Sequence, residues 1–122
     1  MTDHEDHCLG CVIGAFLGDA IGAQLEFQKK ISDNDIKNAL KMKGGGVFGL
    51  APGQITDDSE MALCLAKGLV EGEGIVSLDR IAKYYGKWLN SKPFDIGNTT
   101  IAALSGLSNK DSNGDVTGWA DL

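Results

Sequence analysis

From Leu9 the apolar side chains fall at Leu9, Val12, Ile13, Phe16, Leu17, Ala20 and Ile21. This 3.6-residue stripe holds for more than three turns and predicts a helix. Gly10, Gly14, Gly18 and Gly22 recur beside it at every fourth position. In an exposed helix each would cost up to about 1 kcal/mol relative to Ala. The row therefore has a use, either close packing of another helix along a smooth groove or a ligand lying against the backbone. Asp19 and Glu26 are seven residues apart and project from one face of this helix or its immediate exit. Taken alone, Asp19 reads as a solvated helical aspartate.

Ser32-Asp33-Asn34-Asp35 is an N-cap cluster ahead of Ile36, Ala39 and Leu40, and Gly44-Gly45-Gly46 is a stop, which predicts a short second helix. Residues 44–55 combine glycines, a proline and isolated apolar residues without period, so they predict a flexible loop. Thr56-Asp57-Asp58-Ser59-Glu60 then opens a stripe at Met61, Cys64, Leu65, Gly68 and Leu69, placing an acidic cluster on the first turn of a third helix. Ser77 caps a fourth, with Leu78, Ile81, Ala82, Tyr85, Trp88 and Leu89 on one side and Lys92-Pro93 at its end. A fifth helix is expected over Thr99-Thr100-Ile101-Ala102-Ala103-Leu104, followed by an irregular tail over 108–122. No strand pattern, repeat or linker is visible.

Composition narrows the picture. The 122 residues fit one domain, taken as 1–122, and leave no room for a second full one. The net charge of -6 repels phosphate backbones and anionic lipid, which argues against nucleic acid. Arg80 is the sole arginine, so an anionic ligand would rely on metal or backbone amides. Cys8 to Leu25 is the most apolar stretch, but it carries Asp19 and four glycines and follows an acidic start, so neither a signal peptide nor a membrane span is expected. The odd cysteine count of 3 points to a reducing cytoplasm.

Thr56, Asp57 and Asp58 supply a hydroxyl and two carboxylates within one turn, directly after a glycine-rich loop. Hard oxygens of this kind suit Mg²⁺, Mn²⁺ or Ca²⁺ and hardly suit zinc. The same residue types are selected at helix starts for capping. Capping normally uses one residue, however, and adjacent carboxylates repel unless a cation lies between them. His4, His7, Cys8 and Cys11 form an H-x2-H-C-x2-C run, but four ligands on one helical turn give poor tetrahedral geometry, so a surface His pair and buried thiols are expected instead. Tyr84, Tyr85 and Trp88 at helical spacing read as core.

Three segments in order resemble the ADP-ribosylglycohydrolase family. Gly10 through Ala23 and on to Glu26-Phe27 is similar to that family's opening helix. Gly53-Gln54-Ile55-Thr56-Asp57-Asp58-Ser59-Glu60-Met61-Ala62-Leu63 resembles its first metal-binding segment, and Phe94-Asp95-Ile96-Gly97-Asn98-Thr99-Thr100 with Ala103-Leu104 resembles a third. The resemblance implies an all-α fold, here about five N-terminal helices of it. It implies a hydrolase that cleaves the N- or O-glycosidic bond between ADP-ribose and a protein side chain or small conjugate with two Mg²⁺ ions, for which Mn²⁺ can substitute. Thr56, Asp57 and Asp58 would be metal ligands, Glu26 and Asp58 catalytic, and Asp95, Gly97, Asn98 and Thr99 substrate-binding.

The family pattern also includes an Asp-x-Asp-Ser/Thr metal segment near the far end of the domain and a phosphate-holding loop after the third segment. The sequence stops before the first, and Ser112-Asn113-Gly114 is at best a fragment of the second. One reading of the chain is an enzyme of this family. The alternative is a non-catalytic helical remnant of the family that self-associates or pairs with a partner chain supplying the missing half.

Overall fold

The computed structural model describes residues 2–108, and the expected tail from Asn109 onward lies outside them. Among the described residues there are five α-helices and no strand, as an all-α chain requires: α1 (Asp3–Gly22), α2 (Asp33–Ala39), α3 (Asp57–Glu71), α4 (Leu78–Asn90) and α5 (Asn98–Leu104). Short 3₁₀ turns follow α1 at Ala23–Leu25 and α5 at Ser105–Ser108. The chain divides into two compact units, Met1–Ser59 and Glu60–Leu122. The first turn of α3 belongs to the first unit and the remainder of the helix to the second.

In the first unit, α1 begins six residues before the apolar stripe. Thr2 and Glu5 form a capping box, with the Glu5 N–H donating to Thr2 Oγ1 at 3.3 Å and the Thr2 N–H donating to Glu5 Oε2 at 2.7 Å. Asp3, Glu5 and Asp6 then complement the helix dipole, so a polar turn precedes the amphipathic one. Ser32 and Asp35 repeat the capping box at α2. Gln24 is buried beneath this corner, and its amide Nε2 donates to the Ala39 carbonyl at 3.1 Å. The glycine-rich loop is closed by mutual backbone hydrogen bonds between Gly45 and Leu50 at 2.8 and 2.9 Å, more order than a flexible loop implies. Gly46 is required there. Its φ is +71°, and a Cβ would come within 2.9 Å of the Gln24 Cα.

The glycine row of α1 departs from the packing expectation. A Cβ built on Gly10, Gly14, Gly18 or Gly22 meets nothing within 4 Å. The apolar stripe beside it is also open, with Leu9, Val12, Ile13 and Leu17 between 43% and 55% exposed and only Ala20 of this helix buried. The segment Asp3–Leu25 is long and apolar enough to cross a membrane by length and composition, a test that the core helix of a soluble protein also passes.

The second unit is built around a compact apolar core of Cys64, Ala82, Trp88, Leu104 and Leu107, against which Met61, Tyr84, Tyr85, Leu89 and Ile96 pack. Trp88 is therefore core, as the spacing predicts, whereas Tyr84 and Tyr85 are half-buried against it. Ser77 caps α4 by accepting the Arg80 N–H at 3.5 Å. Leu78 departs from the predicted stripe: it is the first residue of α4 and remains exposed. Gly68 lets α3 approach α4 so closely that a Cβ would lie 3.1 Å from the Ile81 Cα.

Candidate functional site

Within the first unit, α1 and the first turn of α3 build the site. The apolar stripe and glycines of α1 carry Asp19 on a half-buried face. The chain returns through the glycine-rich loop to Thr56, which is 4% exposed and immediately precedes α3. There Asp19 Oδ2 accepts the backbone N–H of Thr56 at 2.9 Å and of Ser59 at 3.3 Å. Asp19 Oδ1 accepts the Thr56 hydroxyl at 2.7 Å. The cap of α3 is thus supplied by a side chain 37 residues upstream of Thr56. The expectation of a solvated Asp19 is overturned: its carboxylate satisfies two amides that a helix start leaves without partners.

This arrangement decides part of what Thr56 can do. A threonine at this position ordinarily caps by accepting the N–H three residues on. Here that N–H, on Ser59, goes to Asp19, and the Thr56 hydroxyl acts as a donor. Its oxygen keeps its lone pairs. Burial pushes the Asp19 carboxyl up, but hydrogen bonds from the side chains and backbones of Ser59 and Thr56 outweigh it and hold the group below its ordinary value. Asp57 is half-buried and Asp58 exposed, and neither carboxylate has a hydrogen-bond or ion-pair partner among the described residues.

These groups share one cavity. It measures about 720 Å³, and its lining includes Gly14, Gly18, Gly22, Glu26, Thr56, Asp57 and Asp58. The open glycine row thus faces the space a ligand would need. Sequence reasoning named Glu26, Thr56, Asp57 and Asp58, and the structure brings all four to this cavity. It missed Asp19, because nothing in a single helical Asp indicates a partner 37 residues away. Phe27, next to Glu26, has φ +61° and meets Phe48 edge-on with ring centroids 5.9 Å apart. That conformation is rare for an aromatic residue and fixes the chain direction just after Glu26.

The donor set fits a hard cation. Two carboxylates and a hydroxyl oxygen from one turn match the habit of Mg²⁺, which is usually held by one or two carboxylates and keeps several waters. Among the described residues no three His, Cys, Asp or Glu side chains converge as a ready-made metal cluster. The His4, His7, Cys8 and Cys11 run makes none either; Cys8 and Cys11 are exposed rather than buried as expected. Asp95, Gly97, Asn98 and Thr99 belong to the second unit, where they flank the start of α5, with Asp95 half-buried and the others exposed. The second unit also holds a cavity of about 330 Å³ lined by Cys64, Lys67, Lys87 and Trp88. Burial raises the Cys64 thiol, which disfavours a thiolate nucleophile there.

The fold and site define an all-helical protein that presents clustered hard oxygen donors at a helix start beside an open glycine wall. The sequence profile described as ADP-ribosylglycohydrolase matches residues 1–120. The chain belongs to that family. It is 42% identical over 99 residues to the ADP-ribosyl-[dinitrogen reductase] glycohydrolase of Rhodospirillum rubrum, covering 78% of this chain and 32% of the relative. It is also 42% identical over 111 residues to an ADP-ribosylarginine hydrolase of Serratia proteamaculans, covering 84% and 29%. A Pseudomonas putida ADP-ribosylarginine hydrolase is 39% identical over 108 residues, covering 83% and 28%. The chain spans about a third of the length of the curated relatives it matches.

Proposed function

We infer that this chain carries the first half of a Mg²⁺-dependent site for hydrolysing the glycosidic bond between ADP-ribose and a protein side chain or small conjugate. The observation that carries the reading is Thr56, whose hydroxyl is turned into a donor toward Asp19 so that its oxygen is left for another ligand. Thr56, Asp57 and Asp58 would hold the cation, with Mn²⁺ as a substitute. When bound, the cation supplies Lewis-acid polarisation and orientation of ribose hydroxyls and water. The overall change adds water across the bond to the anomeric carbon, leaving a hydroxyl on ADP-ribose and a proton on the released side chain.

Glu26 lines the same cavity and is the carboxylate assigned to the water or leaving group at the reacting centre. Gly14, Gly18 and Gly22 let a ligand approach the α1 backbone without meeting a Cβ. Asp95, Gly97, Asn98 and Thr99 are assigned to the ribose and pyrophosphate side of the substrate, and the three free cysteines suit a reducing cytoplasm. The names of the relatives support ADP-ribosylated protein as the substrate class.

Calorimetry of the full chain with Mg²⁺ and then ADP-ribose, repeated on Asp57→Ala/Asp58→Ala, tests the reading. Saturable binding in the wild type that disappears in the double variant is expected. Identical titrations for the two proteins would remove the assignment. A second reading rests on a separate observation, the exposed stripe of Leu9, Val12, Ile13 and Leu17. On that reading the chain is a non-catalytic module that self-associates through α1. A monomer by light scattering at high concentration would end it.

A further inference from the structure

We propose that Asp19 is a positioning residue for the cation site: by taking over the cap of α3 it releases Thr56 from capping and fixes the direction of the Thr56 hydroxyl. The proposal rests on the cation reading above and adds a division of labour within it. Thr56 and Ser59 are 4% and 3% exposed, so neither can turn to bulk water for a partner. Were Asp19 absent, the Thr56 oxygen would be the nearest acceptor type for the Ser59 N–H, the bond that residues at this position usually make. One of its lone pairs would then be spent. With Asp19 present, the Ser59 N–H is satisfied at 3.3 Å and the single hydroxyl hydrogen points to Oδ1 at 2.7 Å. The oxygen can then only accept.

The two Asp19 oxygens have different duties, which makes one substitution especially informative. Oδ2 faces two backbone N–H groups and Oδ1 faces the hydroxyl. In Asp19→Asn the remaining carbonyl oxygen must take the Oδ2 place, because an NH₂ cannot face two N–H donors. The NH₂ then sits where Oδ1 was and donates to Thr56 Oγ1. The cap survives, but the hydroxyl bond is reversed: a lone pair is consumed and the hydroxyl hydrogen swings away from residue 19.

The test titrates the full chain with Mn²⁺, read by electron paramagnetic resonance, in wild type, Asp19→Asn, Thr56→Val, Thr56→Ser, Asp57→Ala/Asp58→Ala and the Asp19→Asn/Thr56→Val double variant. Asp19→Asn should weaken binding by about 10–100-fold, the range typical of groups that orient a ligand, and Thr56→Ser should bind like wild type. A purely electrostatic contribution from Asp19 would persist without the hydroxyl, so additive losses in the double variant would overturn the proposal. Losses no larger than that of Thr56→Val alone are expected. Wild-type affinity in Asp19→Asn, with binding lost in Asp57→Ala/Asp58→Ala, would remove the role of Asp19 alone. Equal titrations of wild type and Asp57→Ala/Asp58→Ala would remove the cation reading and this proposal with it. A measurement on the unaltered chain guards against a variant that fails to fold. The Thr56 hydroxyl proton, slowed in exchange by its bond to Asp19, should stay visible by NMR at saturating Mg²⁺, and its disappearance on adding the cation would overturn the proposal.

Discussion

The two units of the chain are held together by different physics. Apart from Leu50, the first buries small or polar residues, namely Ala20, Ala23, Gln24, Ala39, Thr56 and Ser59, and leaves Leu9, Val12, Ile13 and Leu17 of α1 exposed. The second buries Ile81, Trp88, Leu104 and Leu107. Hydrogen bonds of high sequence separation, Asp19 to Thr56 and Gln24 to Ala39, hold the first, whereas apolar packing holds the second. A site for a charged ligand needs fixed donors and acceptors with open space beside them, and that is incompatible with a close-packed hydrocarbon interior. The unit that carries the candidate chemistry is accordingly the one with the smaller apolar core.

The largest effect should come from truncating the same side chain in each unit. Leu107 is fully buried, so Leu107→Ala should cost about 2–5 kcal/mol in lost transfer energy and cavity formation. Leu17 is 43% exposed, and Leu17→Ala should cost under about 1 kcal/mol. Urea denaturation of both variants measures the difference. Equal losses would mean that α1 is covered in solution, and the contrast between the units would fall.

Next in size is the cap. Asp19→Ala leaves the Thr56 and Ser59 hydroxyls and two amide N–H groups without this acceptor and should cost about 1–3 kcal/mol. The pH dependence has a definite sign. Because its native pKa lies below the ordinary value, Asp19 contributes stability that is present above the unfolded value, near 3.8, and is lost as pH falls through the lower native one. Thermal melts from neutral to strongly acidic pH should therefore show a smaller stability loss in that acid window for Asp19→Ala than for the wild type, since Asp35 and Glu71 are held low in both. Parallel curves for the two proteins would show that the bonds to Asp19 do not stabilise the fold.

The helices and part of the candidate site are legible in the sequence, though unevenly, whereas the contrast between the two units is not. Periodicity found α3 and α4 because their buried faces repeat every 3.6 residues, and found α1 through a stripe that is itself largely open, while Ser32 and Ser77 announced the starts of α2 and α4 by their chemistry. The first two turns of α1 were invisible to the apolar stripe, since a capping box made of Thr2 and Glu5 carries them. Thr56, Asp57 and Asp58 stood out because three hard donors adjoin a glycine-rich loop. Asp19 did not, since its function depends on a partner brought close only by the fold. Leu78 misled for the opposite reason: it keeps the helical period yet sits at the first position of α4, where the face it shares is still uncovered.

The smallest effect, and the one that contrasts the units by sign, concerns two helical glycines. Replacing Gly by Ala in a helix interior gains about 0.5–1 kcal/mol through backbone entropy when the new methyl has room. At Gly10 a Cβ would meet nothing within 4 Å, and Gly10 lies outside the lining of the large cavity, so Gly10→Ala should raise stability by about that amount. At Gly68 the same methyl would press on the Ile81 backbone at 3.1 and 3.2 Å, atoms that cannot rotate away. Overpacking costs of about 1–3 kcal/mol then exceed the propensity gain, and Gly68→Ala should be less stable than wild type. Chemical denaturation of the pair is a small measurement with opposite expected signs. A gain at both positions would mean that α3 and α4 can separate at little cost, and the second unit would no longer differ from the first in how tightly its helices are held.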